Sequence, residues 1–213
     1  MTVPGNPQES SGWEPDEWGG RSIADVLAAE HERLETLLAD AVTTADAVGA
    51  GDEEKTRGRD VADAFVASLT RHLSSEEQEL YPASRSAMPN GDQVIDTEIE
   101  ADREILRTLA AVHSTDPTDP GFPAALRRAQ LQLRQHIETA HDQIHPEVRR
   151  QLSRDEQIRL GNRVDIAQEA APTRPHPDTP STPPLNKVTD PAIGTIDKVR
   201  DILSGRKTRP QDL

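Results

Sequence analysis

Apolar residues recur every three or four positions through most of the chain, and nowhere do they alternate with period two for long enough to predict a strand. Five stretches carry this helical stripe. The first begins at Ser22, with Asp25 three residues on in the manner of a capping box. It places Ile23, Leu27, His31, Leu34, Leu38, Ala41, Ala45 and Val48 on one face, and Gly49-Ala50-Gly51 ends it. The second runs from about Asp52 to Tyr81, with Val61, Phe65, Leu69, His72, Glu76 and Leu80 inward; Pro82 has no N–H to donate and is expected to close it. After the turn signal Pro89-Asn90-Gly91-Asp92, a third helix reaches about His113 with Val94, Glu98, Asp102, Ile105 and Leu109 on one face. The fourth turns Leu126, Ala129, Leu133, His136, Ala140 and Ile144 inward and is expected to end near His145-Pro146. Ser153-Arg154-Asp155-Glu156 caps a fifth helix that runs to about Ala170.

Four long helices joined by short loops predict an all-α fold, an up-down-up-down four-helix bundle with a fifth helix and a short C-terminal amphipathic helix. Residues 1–20, rich in Pro, Gly and acid, read as a flexible N-terminal arm, and 21–171 as the bundle domain. A proline-rich linker fills 172–189. Within 190–213, Asp190-Pro191 starts a short helix with Ile193, Ile196, Val199 and Leu203 on one face. A helix of that length is marginal in water, so it is expected to dock on its own bundle or on a protein partner.

Composition narrows the chemistry. With two Trp, two Phe and one Tyr, the core must be built from Leu, Ile, Val and Ala. Residues 172–213 hold seven basic and five acidic residues, a balance of +2 in a chain of −14, which leaves −16 on residues 1–171. That opposite sign favours docking of the tail on the body. The acidic body argues against nucleic acid, which needs clustered Lys and Arg. The absence of cysteine excludes disulfides, zinc–thiolate sites, iron–sulfur clusters and cysteine nucleophiles. No apolar run approaches 18 residues and no signal core is seen, so no membrane is expected and a cytoplasmic location is.

The inward stripes carry polar residues that a core does not accept without partners. His72 and Glu76, four residues apart, lie one above the other on one helical face. Glu98 and Asp102 form a second such pair, and two carboxylates buried together repel unless something positive lies between them. His31 and His136 occupy core positions on the first and fourth helices. His141, five residues beyond His136, is turned by about 140° and reaches the same centre only from the flank. Imidazole and carboxylate without sulfur suit iron, manganese or zinc, and bundle cores are a recurrent place for carboxylate-bridged metal pairs. Glu98 has surface pairing with arginine as its ordinary alternative. Glu77 and Glu79 read as solvated, Tyr81 as a helix-end packing residue with a phenol at the centre as the alternative, and His113 and His176 as loop residues without a specific task.

The run RHLSSEEQELYPA resembles the second helix of the haemerythrin-like, HHE cation-binding domain, with its H-x-x-x-E-E pattern and Tyr-Pro end. EHERLETLL is similar to that family's first-helix histidine motif, LRQHIETAHDQIHP to its fourth, and the proline-rich tail to one found in actinobacterial members. The resemblance implies two non-haem iron ions per chain within a four-helix bundle, with His31, His72, Glu76 and His136 as ligands. Two places depart from the pattern. Asp102 stands where the third helix usually has histidine, and His141 where the fourth helix usually has a bridging carboxylate; His145 also replaces a usual phenylalanine before Pro146. These exchanges keep the number of ligand-type residues while swapping their kind, which implies a retuned centre with metal ligands His31, His72, Glu76, Asp102, His136 and His141.

Three functions follow as expectations. The first is an iron-binding module that binds or senses dioxygen or a related small molecule, nitric oxide and peroxide included. An enzyme reducing peroxide or nitric oxide, or oxidising ferrous iron, is the second, since Asp102 supplies harder oxygen ligation. A metal-free interaction bundle is the third, motivated by Ala140 and the altered motifs.

Overall fold

The structure, a computed structural model, describes residues 19–46, 51–176 and 207–212. The expected flexible arm through residue 18 and the short helix expected after Asp190 lie outside the described residues, apart from the last stretch at 207–212. Every extended element among the described residues is helical: α1 (Ile23–Asp46), α2 (Asp52–Ser75), α3 (Tyr81–Ala87), α4 (Gly91–Ser114), α5 (Gly121–Thr139), α6 (His145–Gln151) and α7 (Arg154–Ala170). A π turn, Glu76–Leu80, joins α2 to α3, and another, Ala140–Ile144, joins α5 to α6. Four long rods therefore form the bundle. α1 packs on α2 and α5, α4 packs on α2 and α5, and α7 lies across α1 and α2.

Local chemistry accounts for the ends. The Asp25 N–H donates to Ser22 Oγ at 3.2 Å at the start of α1, and the Glu156 N–H donates to Ser153 Oγ at 3.3 Å at the start of α7. Asn90 takes a left-handed conformation, φ 57°, to turn the chain into α4. The prolines correct the sequence reading. Neither Pro82 nor Pro146 stops its rod, because each follows a turn with the wider i→i+5 bonding. The N–H of Tyr81 donates to the Glu76 carbonyl and that of His145 to the Ala140 carbonyl, and each proline then falls in the first turn of a new α segment, where no N–H is required.

These two rods share one pattern. His72 and His136, Glu76 and Ala140, Tyr81 and His145, and Pro82 and Pro146 are each 64 positions apart. A π turn sits at the same place in both, and α3 packs against α6.

The apolar core is split in two. One cluster gathers Leu34, Leu38, Phe65, Leu69, Leu109, Leu126 and Leu133; the other gathers Ile23, Leu27, Leu80, Ile95, Ile99, Ile144 and Val164. Truncating one of the larger members, Phe65→Ala for instance, is expected to cost about 3–5 kcal/mol. Between the clusters, at the same height on every rod, lie His31, His72, Glu76, Glu98, Asp102 and His136. α7 closes the side of the bundle over the α1–α2 groove. Its Gly161 lies so close to α1 that a Cβ there would run into the backbone oxygen of Arg21. Glu77 and Glu79, expected in water, are buried beneath this cover, and Arg163 of α7 meets Glu79 at 3.0 Å. The described C-terminal stretch follows the charge difference along the chain: Lys207 pairs with Asp60 at 2.8 Å, Arg209 with Glu169 at 3.5 Å, and Arg71 donates to the Thr208 carbonyl at 2.7 Å.

Candidate metal centre

Four of the sequence-derived residues converge. His31 from α1, His72 from α2, Glu76 at the start of the π turn and His136 from α5 are all buried, and a ligating atom of each lies within 4.8 Å of all the others. His31 Nε2 and His72 Nε2 are 3.0 Å apart, Glu76 Oε1 is 3.5 Å from His72 Nε2 and 3.9 Å from His31 Nε2, and Glu76 Oε2 is 3.2 Å from His136 Nε2. Two atoms that each ligate one ion at ~2.1 Å, at 90–110° to one another, stand ~3.0–3.4 Å apart. The 3.0 and 3.2 Å separations fall within that range, and those of 3.5 and 3.9 Å lie outside it.

On the far side of His136 the other buried pair meets its second nitrogen: His136 Nδ1 lies 3.0 Å from Glu98 Oε1 and 3.2 Å from Asp102 Oδ1. Asp102 and Glu98 thus both lie against His136. His141 does not. Its side chain is 78% exposed, next to Asp142, because the five-residue step from His136 turns it out of the bundle. The imidazole that comes in from this rod beside His136 is His145, 1% exposed, with its ring stacked 5.9 Å from that of His31.

Tyr81, read from the sequence as a helix-end packing residue with a phenol at the centre as the alternative, takes the alternative place. Its hydroxyl donates to Asp102 Oδ2 at 2.7 Å and reaches Glu76 Oε2 at 3.3 Å. In a continuous α-helix a residue five after Glu76 would be turned by ~140°, whereas the wider π turn brings it to within ~50°. The same shift applies from Ala140 to His145. The 64-residue recurrence of histidine, a site at +4, a ring at +9 and then proline was the signal in the sequence that marks both positions.

The cluster has unmet demands. Glu76 Oε1, Glu98 Oε1, Asp102 Oδ1 and both ring nitrogens of His136 find no aligned hydrogen bond among the described residues. Buried polar atoms left this way cost about 1–3 kcal/mol each, and a metal cation taking the place of a His136 proton would satisfy several at once. The electrostatics agree. Burial, aided by the neighbouring His72, holds the His31 imidazole neutral, its pKa lowered to about 2. Burial likewise lowers His145 to about 4. For Glu76, burial alone would raise the carboxyl, but His72 and His136 outweigh it and hold the pKa well below the carboxylate range. His136 is pushed the other way: burial opposes its charge, yet Glu76, Asp102 and Glu98 raise its pKa well above the ordinary value. Burial raises Glu98 and, with the Asp102 charge, Tyr81. Three buried acids around one imidazolium form a strongly cation-seeking pocket.

Around this layer sit partners of a different kind. His72 Nδ1 is 2.9 Å from Glu30 Oε2, and the Gln168 amide donates to both Glu30 oxygens at 2.6 Å. Neither residue was singled out by the sequence reading.

Comparison with known proteins gives one consistent result. A family model described as the hemerythrin HHE cation binding domain matches residues 22–148. An uncharacterised hemerythrin-like protein of Schizosaccharomyces pombe is 25% identical over 140 residues, covering 65% of this chain and 69% of its own length. No solved structure matches the chain significantly. The matched region contains the whole histidine–carboxylate layer and ends before α7.

Proposed function

The chain belongs to the hemerythrin HHE cation-binding family, and from that membership we propose that its buried histidine–carboxylate layer holds non-haem iron and presents it to dioxygen or a related small molecule. The observation that carries this reading is the convergence of three imidazoles and Glu76 from three rods, within 4.8 Å of one another, in a layer where several buried polar atoms find no aligned hydrogen bond among the described residues. His31, His72, His136 and Glu76 are the ligands in this reading, and the bound iron would supply a redox-capable Lewis acid with positions left for an outside molecule.

The chain's own residues prepare the place. Neutral His31 keeps its lone pair available, and ionised Glu76 contributes the compensating charge. Leu27, Leu69, Leu73 and Ile144, all buried, limit water above and below the layer. Tyr81 keeps its proton and donates it to Asp102, which holds that carboxylate in place. No membrane contact is part of this reading, as no described helix is long and apolar enough to cross one.

A second ion is favoured by one specific arrangement. The two oxygens of Glu76 face opposite ways, Oε1 to His31 and His72 and Oε2 to His136, while Glu98 and Asp102 converge beyond. In this fuller reading Glu98 and Asp102, with His136, would hold a second ion beside the one that His31, His72 and Glu76 would hold.

The test is metal content and absorption of protein purified from iron-supplemented cells. About two irons per chain, with near-ultraviolet charge-transfer bands that His72→Ala removes, is the expected result. One iron restricts the reading to the four-residue cluster. A folded protein that takes up no metal overturns it and leaves a structural bundle.

A further inference from the structure

α7 lies outside the family match, yet one of its side chains is joined to a candidate ligand through a single carboxylate. Gln168 Nε2 lies 2.6 Å from each oxygen of Glu30, and Glu30 Oε2 lies 2.9 Å from His72 Nδ1. The same amide nitrogen reaches Ser75 Oγ at 3.4 Å, and that hydroxyl donates to the His72 carbonyl at 2.7 Å. Both the ring and the backbone of His72 are thereby tied to one position on α7.

The consequence for His72 is chemical. A neutral imidazole carries one N–H, and an ionised carboxylate only accepts. Glu30 beside Nδ1 therefore fixes the proton on that nitrogen, leaving the Nε2 lone pair facing His31 and Glu76. A carboxylate on the outer nitrogen of a ligating histidine also orients the ring and raises its basicity. Glu30 lies beside a cavity of about 420 Å³ that Arg71, Pro210 and Gln211 also line, so its carboxylate has open space on one side. Gln168 anchors it, and Gly161, two turns earlier on the same face of α7, sets the close approach to α1 that brings Gln168 there.

We propose that Gln168, acting through Glu30, is a positioning residue of the metal centre, so that the tautomer and aim of His72 are set from a helix outside the domain the family shares. The proposal rests on the metal reading above, and its test separates the two.

Cobalt(II) alone is the probe, with binding followed by its visible d–d spectrum, and the His72 tautomer is read from ring ¹⁵N shifts of the metal-free full chain. Gln168→Leu and Glu30→Ala are expected to weaken cobalt binding about 10–100-fold, to alter the spectrum, and to move His72 away from the Nδ1–H form. Glu30→Gln, whose amide oxygen still accepts from Nδ1–H, is expected to restore most of the wild-type tautomer. Unchanged affinity, spectrum and tautomer in Gln168→Leu overturn the proposal. Should wild-type protein bind no cobalt, the metal reading fails by itself. The positioning role then stands if metal-free His72 is Nδ1–H and loses that form in Gln168→Leu, and falls if wild-type His72 carries its proton on Nε2.

Discussion

Tyr81 and Asp102 are joined across the bundle by a 2.7 Å hydrogen bond, from the start of α3 to the middle of α4, with both side chains buried. The phenol is the only neutral donor aimed at the three buried carboxylates of the layer among the described contacts. Removing it leaves Asp102 with an unmet oxygen, so Tyr81→Phe is expected to destabilise the metal-free protein by about 1–3 kcal/mol. Urea unfolding of the two proteins measures this; equal midpoints would show that Asp102 does not depend on the phenol.

His141 and His145 make a paired test of which imidazole serves the centre. His141→Ala removes an exposed ring and is expected to change stability by less than about 0.5 kcal/mol, with metal uptake unaltered. His145→Ala removes a buried ring stacked on His31 and is expected to cost about 2 kcal/mol or more. Thermal melts with and without iron distinguish them, and a metal loss confined to His141→Ala would restore the sequence-based assignment.

Glu98→Gln addresses the crowding of negative charge. Burial already opposes ionisation of Glu98, and a neutral amide would relieve its repulsion with Asp102 and Glu76. The metal-free protein is expected to hold its stability or gain about 1 kcal/mol, while the rise in melting temperature on adding metal shrinks. In the wild type the stabilisation behind that rise is expected to approach ~4 kcal/mol at a thousandfold excess over Kd, as for any ligand of the folded state alone. An undiminished rise in Glu98→Gln would remove Glu98 from the centre.

Gly161→Ala probes the seat of α7. The new methyl meets the Arg21 backbone, which cannot swing aside as a side chain does, and overpacking of this kind costs about 1–3 kcal/mol. Hydrogen exchange is expected to speed up in α7 and at the start of α1, with α4 and α5 unaffected. Uniform protection in the variant would mean that the crossing has more room than the glycine implies.

Much of this was legible in the chain. The 3.6-residue stripes locate all the long rods, because burying an apolar face leaves a periodic mark. His31, His72, Glu76 and His136 stand out as polar residues on those stripes. What escaped depends on departures from the α period. Tyr81 and His145 reach the layer only because a π turn precedes each, a departure that no count in steps of 100° reveals. Glu79 looked solvated because a stripe on α2 says nothing of the α7 whose Arg163 meets it. Glu30 and Gln168 are 138 positions apart and meet only in the folded chain.

The paired π turns make chain length, rather than residue identity, the delicate variable in two short windows. Each turn holds one residue more than the α-helix around it requires, so deleting a single residue from 76–80 or 140–144 lets the rod heal into an unbroken helix. Every side chain beyond the scar would then revolve by ~100°. Helix content would survive such an indel, but Tyr81 or His145 would leave the layer. An insertion of the same size in the loop at 116–119 only lengthens a surface turn. Drift in this lineage should therefore be free to resize the loops while keeping both windows at five residues.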